Sequence, residues 1–207
     1  MSYVIAVTQT KGGATKTTTS INLLGALLES GYKTILCDMD KDKPDAILWA
    51  DLGDTLSHSV IPLYDENPKP KIDELRKSYD VILIDTPPST QAAGLKGVMI
   101  SDFIIIPCAT SRLERNGLEQ AASSAMLANK PYAFLASRTA HNTNSTKNLL
   151  DEITATGFYF KTNITHSTHM SDCQNFGQWI GEYKPNSIHH MQYRDLVKEL
   201  IEKLQSE

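Results

Sequence analysis

Five short runs of almost unbroken apolar sequence limit the folds open to this chain more than any other feature. They are Tyr3–Thr8, Thr34–Asp38, Val81–Asp85, Phe103–Pro107 and Tyr132–Ala136. A strand with one face in water alternates apolar and polar residues, whereas a run that is apolar throughout suits a strand covered on both faces. Helical patterns stand between the runs, and such alternation builds βαβ units around a parallel sheet. The clearest helix is predicted from about Thr17 to Ser30, where Ile21, Leu24, Leu27 and Leu28 share a stripe and Gly31 offers a left-handed C-cap. Further helices are predicted at Ala46–Leu52, Ile72–Lys77, Gln91–Met99, Gly117–Leu127, Thr146–Thr156 and Tyr193–Leu204. Asp54–Pro70 reads as a turn-rich loop with one short strand, and Thr139–Thr146 as a mobile polar loop. The expected fold is one α/β domain over residues 1–207, a doubly wound, mostly parallel sheet flanked by helices.

Composition narrows the function classes. A length of 207 residues suits one hydrophobic core, and 41% hydrophobic with 21% charged residues is ordinary for a globular chain. With 20 Lys+Arg against 24 Asp+Glu the formal net charge is −4, which excludes a nucleic-acid binder that works by bulk positive charge. Cys37, Cys108 and Cys173 are far apart and odd in number, so neither a disulfide framework nor a thiolate zinc site is expected. No run approaches the roughly 18 apolar residues of a membrane span and no signal peptide is read at the N-terminus, so the expected compartment is the cytoplasm.

The strongest chemical signal is Lys11-Gly12-Gly13-Ala14-Thr15-Lys16-Thr17-Thr18, between the first predicted strand and the first helix. This is the setting of a phosphate-binding loop. Glycines let the backbone turn tightly so that successive N–H groups point at phosphate oxygens, and the helix N-terminus adds partial positive charge. Lys16 is expected to reach the β- and γ-phosphates and the Thr17 hydroxyl to coordinate Mg²⁺. Thr15 departs from the usual pattern, because a glycine normally precedes this lysine.

Lys11 adds a second signal. A lysine directly before the Gly-Gly pair resembles the motif Lys-Gly-Gly-x-Gly-Lys-Thr/Ser of the deviant Walker A ATPases of the ParA/MinD family. Leu36-Cys37-Asp38-Met39-Asp40 resembles that family's Asp-x-Asp element, and Val81–Asp85 followed by Thr86-Pro87-Pro88 resembles its Walker B strand and switch turn. Phe103–Pro107 resembles the fourth strand, with Pro107 near the nucleotide, and Arg138 falls where relatives carry an arginine near the adenine. The resemblance implies ATP and Mg²⁺ as cofactors. It implies Lys11 reaching across a homodimer to the partner's phosphates, and Asp40 orienting the attacking water. Asp85 would hold Mg²⁺ through a water, with Asp38 supporting the metal side. Lys41 and Asp42 depart from the family's Pro-Gln after Asp40.

The match is nearest the small ParA proteins of plasmid partition. That likeness implies ATP-dependent dimerisation, non-specific DNA binding, hydrolysis stimulated by a ParB-like or cargo-adaptor partner, and association with the nucleoid. Residues 1–108 hold 10 bases and 14 acids, whereas 109–207 hold 10 of each and five of the six histidines. Arg112, Arg115, Lys130, Arg138, Lys147 and Lys161 are candidates for a basic face pooled by two subunits through salt-sensitive phosphate contacts.

Membrane and metal roles are less well supported. The Tyr193–Glu207 helix carries three bases and four acids on its polar face, so packing on its own domain is expected rather than membrane binding. His166 and His169 have no Cys or carboxylate at ligand spacing and read as a polar loop. Two alternatives remain from the sequence: a ParA-like positioning ATPase for a protein cargo, and a ligase of the dethiobiotin synthetase type. A third is a nucleotide-dependent binding module with little hydrolysis.

Overall fold

The computed structural model describes residues 2–10, 13, 15–88, 92–110 and 112–206, without the side chains of 112–118. Its strands are β1 (Tyr3–Val7), β2 (Thr34–Asp38), β3 (Val60–Pro62), β4 (Val81–Asp85), β5 (Phe103–Cys108), β6 (Tyr132–Thr139) and β7 (Ile164–Thr165). They form one sheet in the order β3-β2-β4-β1-β5-β6-β7, with every neighbouring pair parallel. The helices are α1 (Lys16–Glu29), α2 (Asp45–Ala50), α3 (Lys69–Leu75), α4 (Ala92–Ile100), α5 (Arg112–Leu127) and α6 (Asn144–Ala155), then α7 (His169–Asp172), α8 (Ile180–Tyr183) and α9 (Ile188–Gln205).

The apolar runs behave as strands covered on both faces. Ile5, Val7, Leu83 and Ile105 enter one core with Leu23, Leu24 and Leu27 of α1 and Leu196 and Leu200 of α9. Their neighbours Val4, Ala6, Ile82, Ile84 and Ile104 enter the other, with Ile72, Val98, Ala121 and Leu149 of α3 to α6. Adjacent residues therefore serve opposite layers, which is why the runs show no polar alternation.

Helix α1 is buried almost all round rather than along the single predicted stripe. Thr19, Ser20 and Asn22 are inside along with the leucines. The C-terminal segment covers it: Asn22 Oδ1 accepts the Ile180 N–H (2.7 Å), and Trp179 sits where a Cβ on Gly25 would overlap its indole ring. Of the α9 stripe predicted to face its own domain, Leu196, Val197, Leu200 and Leu204 are buried and Ile201 is partly so. Among the described residues no helix is long and apolar enough to cross a membrane.

Several segments differ from the sequence reading. Thr139–Thr146 contains a helix start instead of a plain loop: the Thr143 hydroxyl caps α6 by accepting the Thr146 N–H (3.3 Å), and Ala140 N–H donates to Thr146 Oγ1 (3.0 Å). Strand β6 continues three residues beyond Ala136, through a register shift between Ser137 and Thr139 that leaves Arg138 at φ 53°. Helix α5 begins at Arg112 rather than Gly117, α9 at Ile188 rather than Tyr193, and α3 at Lys69 rather than Ile72.

The order places β1 between β4 and β5, so the chain leaves its central strand at the point where the sheet changes winding direction. In open α/β sheets ligands bind outside the carboxyl ends of strands at such a point. Register sets the acids there: Asp85 lies beside Val7 of β1 and beside Asp38 of β2.

Candidate functional site

A cleft of about 350 Å³ opens at this end of the sheet. Its floor is Gly13 and the segment from Thr15 to Thr19 at the start of α1. Asp40 and Lys43 after β2, Asp85 at the end of β4 and Thr86 after it close one side. Arg138, Thr165, His166, Ser167 and Gln174 stand on the other. Lys11, Gly12 and Ala14 lie outside the described residues.

The chemistry is densest around Asp85. Its side chain is buried, Oδ2 accepts the Thr17 hydroxyl (2.7 Å) and Oδ1 the Ser20 hydroxyl (2.9 Å). Burial pushes its pKa up to about 7, and the Asp38 charge adds to that, while the two hydroxyls and Lys16 pull the other way. Lys16 is also buried, which lowers its pKa, with the Asp85 and Asp40 charges opposing the shift. A carboxylate so short of compensating charge favours a cation beside it. Its neighbouring donor, the Thr17 hydroxyl, is a hard oxygen of the type Mg²⁺ takes together with waters and phosphate oxygens. The residues present therefore fit a divalent cation and a phosphate chain.

Asp40 lines the cleft, and its Oδ1 accepts the Lys43 N–H (3.0 Å), which fixes the carboxylate at the start of the loop. Asp38 is placed differently from the metal-side role expected of it. It is fully buried and does not line the cleft; Oδ1 accepts the Asp40 N–H (2.9 Å) and Oδ2 the N–H groups of Ala46 (3.1 Å) and Ile47 (3.3 Å). Burial raises its pKa to about 6, opposed by these three backbone donors. In this geometry Asp38 ties the loop carrying Asp40 to the N-terminus of α2, where a negative charge is favoured.

The remaining expected residues divide. Thr18 and Arg138 line the cleft. Pro107 does not; its carbonyl accepts Gln9 Nε2 (3.3 Å) and so braces the end of β1 from below the site. Lys130, Lys147 and Lys161 belong to segments away from the cleft lining, and the side chains of Arg112 and Arg115 are outside the described set. Cys37, Cys108 and Cys173 are free and buried. His166 lines the cleft, while His169 Nε2 meets Lys184 Nζ (2.7 Å). Among the described residues no group of three His, Cys, Asp or Glu could hold a metal ion.

Sequence reasoning missed Ser20 and the whole wall from Ile164 to Gln174. Ser20 stands one turn after Lys16, so a hydroxyl on the phosphate-facing side of the helix was the signal available. The wall is built from elements of two to four residues, too short to show a period.

Residues 5–204 match the family described as "CobQ/CobB/MinD/ParA nucleotide binding domain". The sporulation initiation inhibitor protein Soj of Bacillus subtilis is 25% identical, over 97% of this chain and 98% of its own length. The chromosome partitioning protein ParA of Myxococcus xanthus is 24% identical over 97% of this chain and 88% of its own. Among solved structures, the septum site-determining protein MinD of Pyrococcus horikoshii, complexed with Mg-ADP, superposes with a TM-score of 0.83 at 20% identity. That likeness covers 99% of this chain and 98% of the other, and it shows the fold.

Proposed function

The chain belongs to the CobQ/CobB/MinD/ParA family of nucleotide-binding domains, and from that premise we propose that it is a ParA-type partition ATPase. The observation that carries this reading is the meeting of Lys16, Thr17, Asp40 and Asp85 in one cleft at the carboxyl ends of β1, β2 and β4. The similarity to Soj and to a chromosome partitioning protein over nearly the whole chain supports the partition role.

In this reading Lys16 holds the β- and γ-phosphates of ATP, and the backbone of the loop cradles them. Thr17 and Asp85 hold Mg²⁺, which neutralises part of the charge on the triphosphate when bound. Asp40 accepts a hydrogen bond from the attacking water and so aims it at the γ-phosphorus. The bond to the β–γ bridging oxygen breaks as the new P–O bond forms, giving ADP, phosphate and a proton. Lys11 of a second copy reaches the phosphates across a nucleotide-sandwich dimer and stabilises the developing charge. Two copies together present a surface to DNA phosphates, and a ParB-like partner accelerates hydrolysis and resets the dimer. The working location is the cytoplasm, on the nucleoid.

Light scattering coupled to size exclusion, with Mg²⁺ and a non-hydrolysable ATP analogue, tests this. The expected result is a dimer only with nucleotide, which retains non-specific duplex DNA at low salt and releases it as salt rises. A chain that stays monomeric in every nucleotide state contradicts the reading. A nucleotide-dependent dimer that ignores DNA contradicts the DNA-partition role and favours a protein cargo.

A further inference from the structure

Two exposed apolar pairs meet on one face at the C-terminal end of α2. Leu48 and Leu52 stand one helical turn apart there, 58% and 61% exposed. Phe176, 58% exposed, stacks on Tyr183 with ring centroids 5.7 Å apart. Gly53 and Gly177 join the pairs: a Cβ on Gly53 would stand 2.8 Å from Gly177 O, so no side chain fits at the seam.

The two halves of the face are locked together. Trp49 Nε1 donates to Gln178 O (3.0 Å), and Thr55 Oγ1 donates to Glu182 Oε1 (2.8 Å). The face is therefore held in shape before anything binds, which lowers the ordering cost of docking. A lone exposed leucine is ordinary, whereas large apolar side chains sharing one rigid patch mark an interaction surface.

Charge identifies the occupant. Residues 41–54 carry four acids and two bases, and residues 172–184 carry two acids and one base. Two of the bases are engaged: Lys43 pairs with Asp45 (3.0 Å) and Lys184 meets His169 (2.7 Å). Asp51 and Asp54, on either side of Leu52 in the chain, are both exposed. An acidic rim repels nucleic-acid phosphate and anionic lipid. It also disfavours the same face of a second copy, since like charges would be brought together. It attracts a segment that sets lysine or arginine beside apolar residues.

We propose that this face binds a basic amphipathic segment of a partner protein. Apolar side chains of the segment cover Leu48, Leu52 and Phe176, while its cations meet Asp51 and Asp54. The segment thereby touches the helix whose N-terminus Asp38 ties to the loop of Asp40. The inference concerns binding alone and stands whether or not the cleft hydrolyses ATP.

The probe is a labelled synthetic peptide of leucine and lysine at amphipathic helical spacing, with a leucine–glutamate peptide of the same pattern as control. Fluorescence anisotropy follows binding to the parent, to the double variant Leu52→Ser, Phe176→Ser, to the double variant Asp51→Asn, Asp54→Asn, and to Leu127→Ser. Leu127 is 88% exposed on α5 and lies outside the face. The lysine peptide is expected to bind the parent and Leu127→Ser alike, and the apolar double variant about tenfold more weakly. The charge double variant should bind about threefold more weakly at low salt, with the gap closing at high salt. It keeps every apolar side chain, so it decides the question even where the apolar variant unfolds. The glutamate peptide should not bind. Equal affinity across all four proteins, or no binding to the parent, overturns the inference. Parent binding to phosphatidylglycerol vesicles that the apolar variant loses would make the face a membrane contact instead. A nucleotide-free parent dimer that the same variant loses in sedimentation would make it an interface between copies.

Discussion

Thr17 Oγ1 donates a 2.7 Å hydrogen bond to Asp85 Oδ2, joining the first turn of α1 to the end of β4 across 68 positions of sequence. Ser20, one turn further along α1, holds the other oxygen. The two hydroxyls fix the carboxylate before any cation arrives, so little ordering cost remains for binding. Thr17→Val is expected to abolish the Mg²⁺-dependent part of the stabilisation by nucleotide. Melting temperatures with ADP, with and without Mg²⁺, measure it; an undiminished Mg²⁺ increment would remove Thr17 from the metal site. Ser20→Ala should cost about 1 kcal/mol of stability, seen in urea unfolding.

Asp38 and Asp40 are two residues apart and are expected to fail differently. Asp40→Asn should leave nucleotide affinity within about twofold and lower turnover about a hundredfold, because it disturbs the water and not the phosphate cradle. Asp38→Ala strips the acceptor from three backbone N–H groups. It should destabilise the chain by about 3 kcal/mol in denaturant unfolding. Equal effects of the two substitutions on folding would contradict the division of labour drawn between them.

The union of α1 with the C-terminal segment predicts a stability effect remote from the chemistry. Asn22 both accepts from Ile180 N–H and donates from Nδ2 to Thr18 O (2.8 Å). Asn22→Leu leaves the Ile180 N–H without its partner and should cost about 2 kcal/mol. Gly25→Ala drives a methyl into the Trp179 ring and should cost about 1–3 kcal/mol. Thermal unfolding of both variants checks the pair; a neutral Gly25→Ala would mean that Trp179 can move aside freely.

His189 gives the fold a pH dependence of definite sign. Burial, with smaller contributions from His169, Lys184 and His166, lowers its pKa below the ordinary 6.5. The unfolded chain therefore takes up a proton that the folded chain resists. The contribution of His189 is fully present above about pH 6.5 and is lost as pH falls below it. Unfolding free energies measured from pH 7.5 to about 5 should fall more steeply for the parent than for His189→Asn. Equal slopes would show that His189 does not titrate abnormally.

Where residue type alone carries the physics, the sequence was readable. The apolar runs at Thr34–Asp38 and Val81–Asp85 end where β2 and β4 end. Lys16 and Thr17 were placed by their position after a strand and before a helix, and both line the cleft. What escaped depends on contacts between distant segments. Asp38 and Asp40 look alike in sequence, yet one faces three backbone donors inside the fold and the other faces the cleft. Ser20 and Asn22 read as helix-interior polar residues until Asp85 and Ile180 are brought to them. The wall at Thr165–Gln174 has no periodic signal, because its short elements are held by packing on β6, α9 and α2 instead of by propensity.

Calorimetric titration of ATP with Mg²⁺ into the parent chain and into Lys16→Ala tests the nucleotide site most directly. Lys16 is buried at the start of α1, between the charges of Asp85 and Asp40. The parent is expected to bind one nucleotide per chain, and Lys16→Ala to show no measurable heat while retaining its fold by circular dichroism. Parent-like binding by a folded Lys16→Ala variant would contradict the assignment of this cleft to the phosphates.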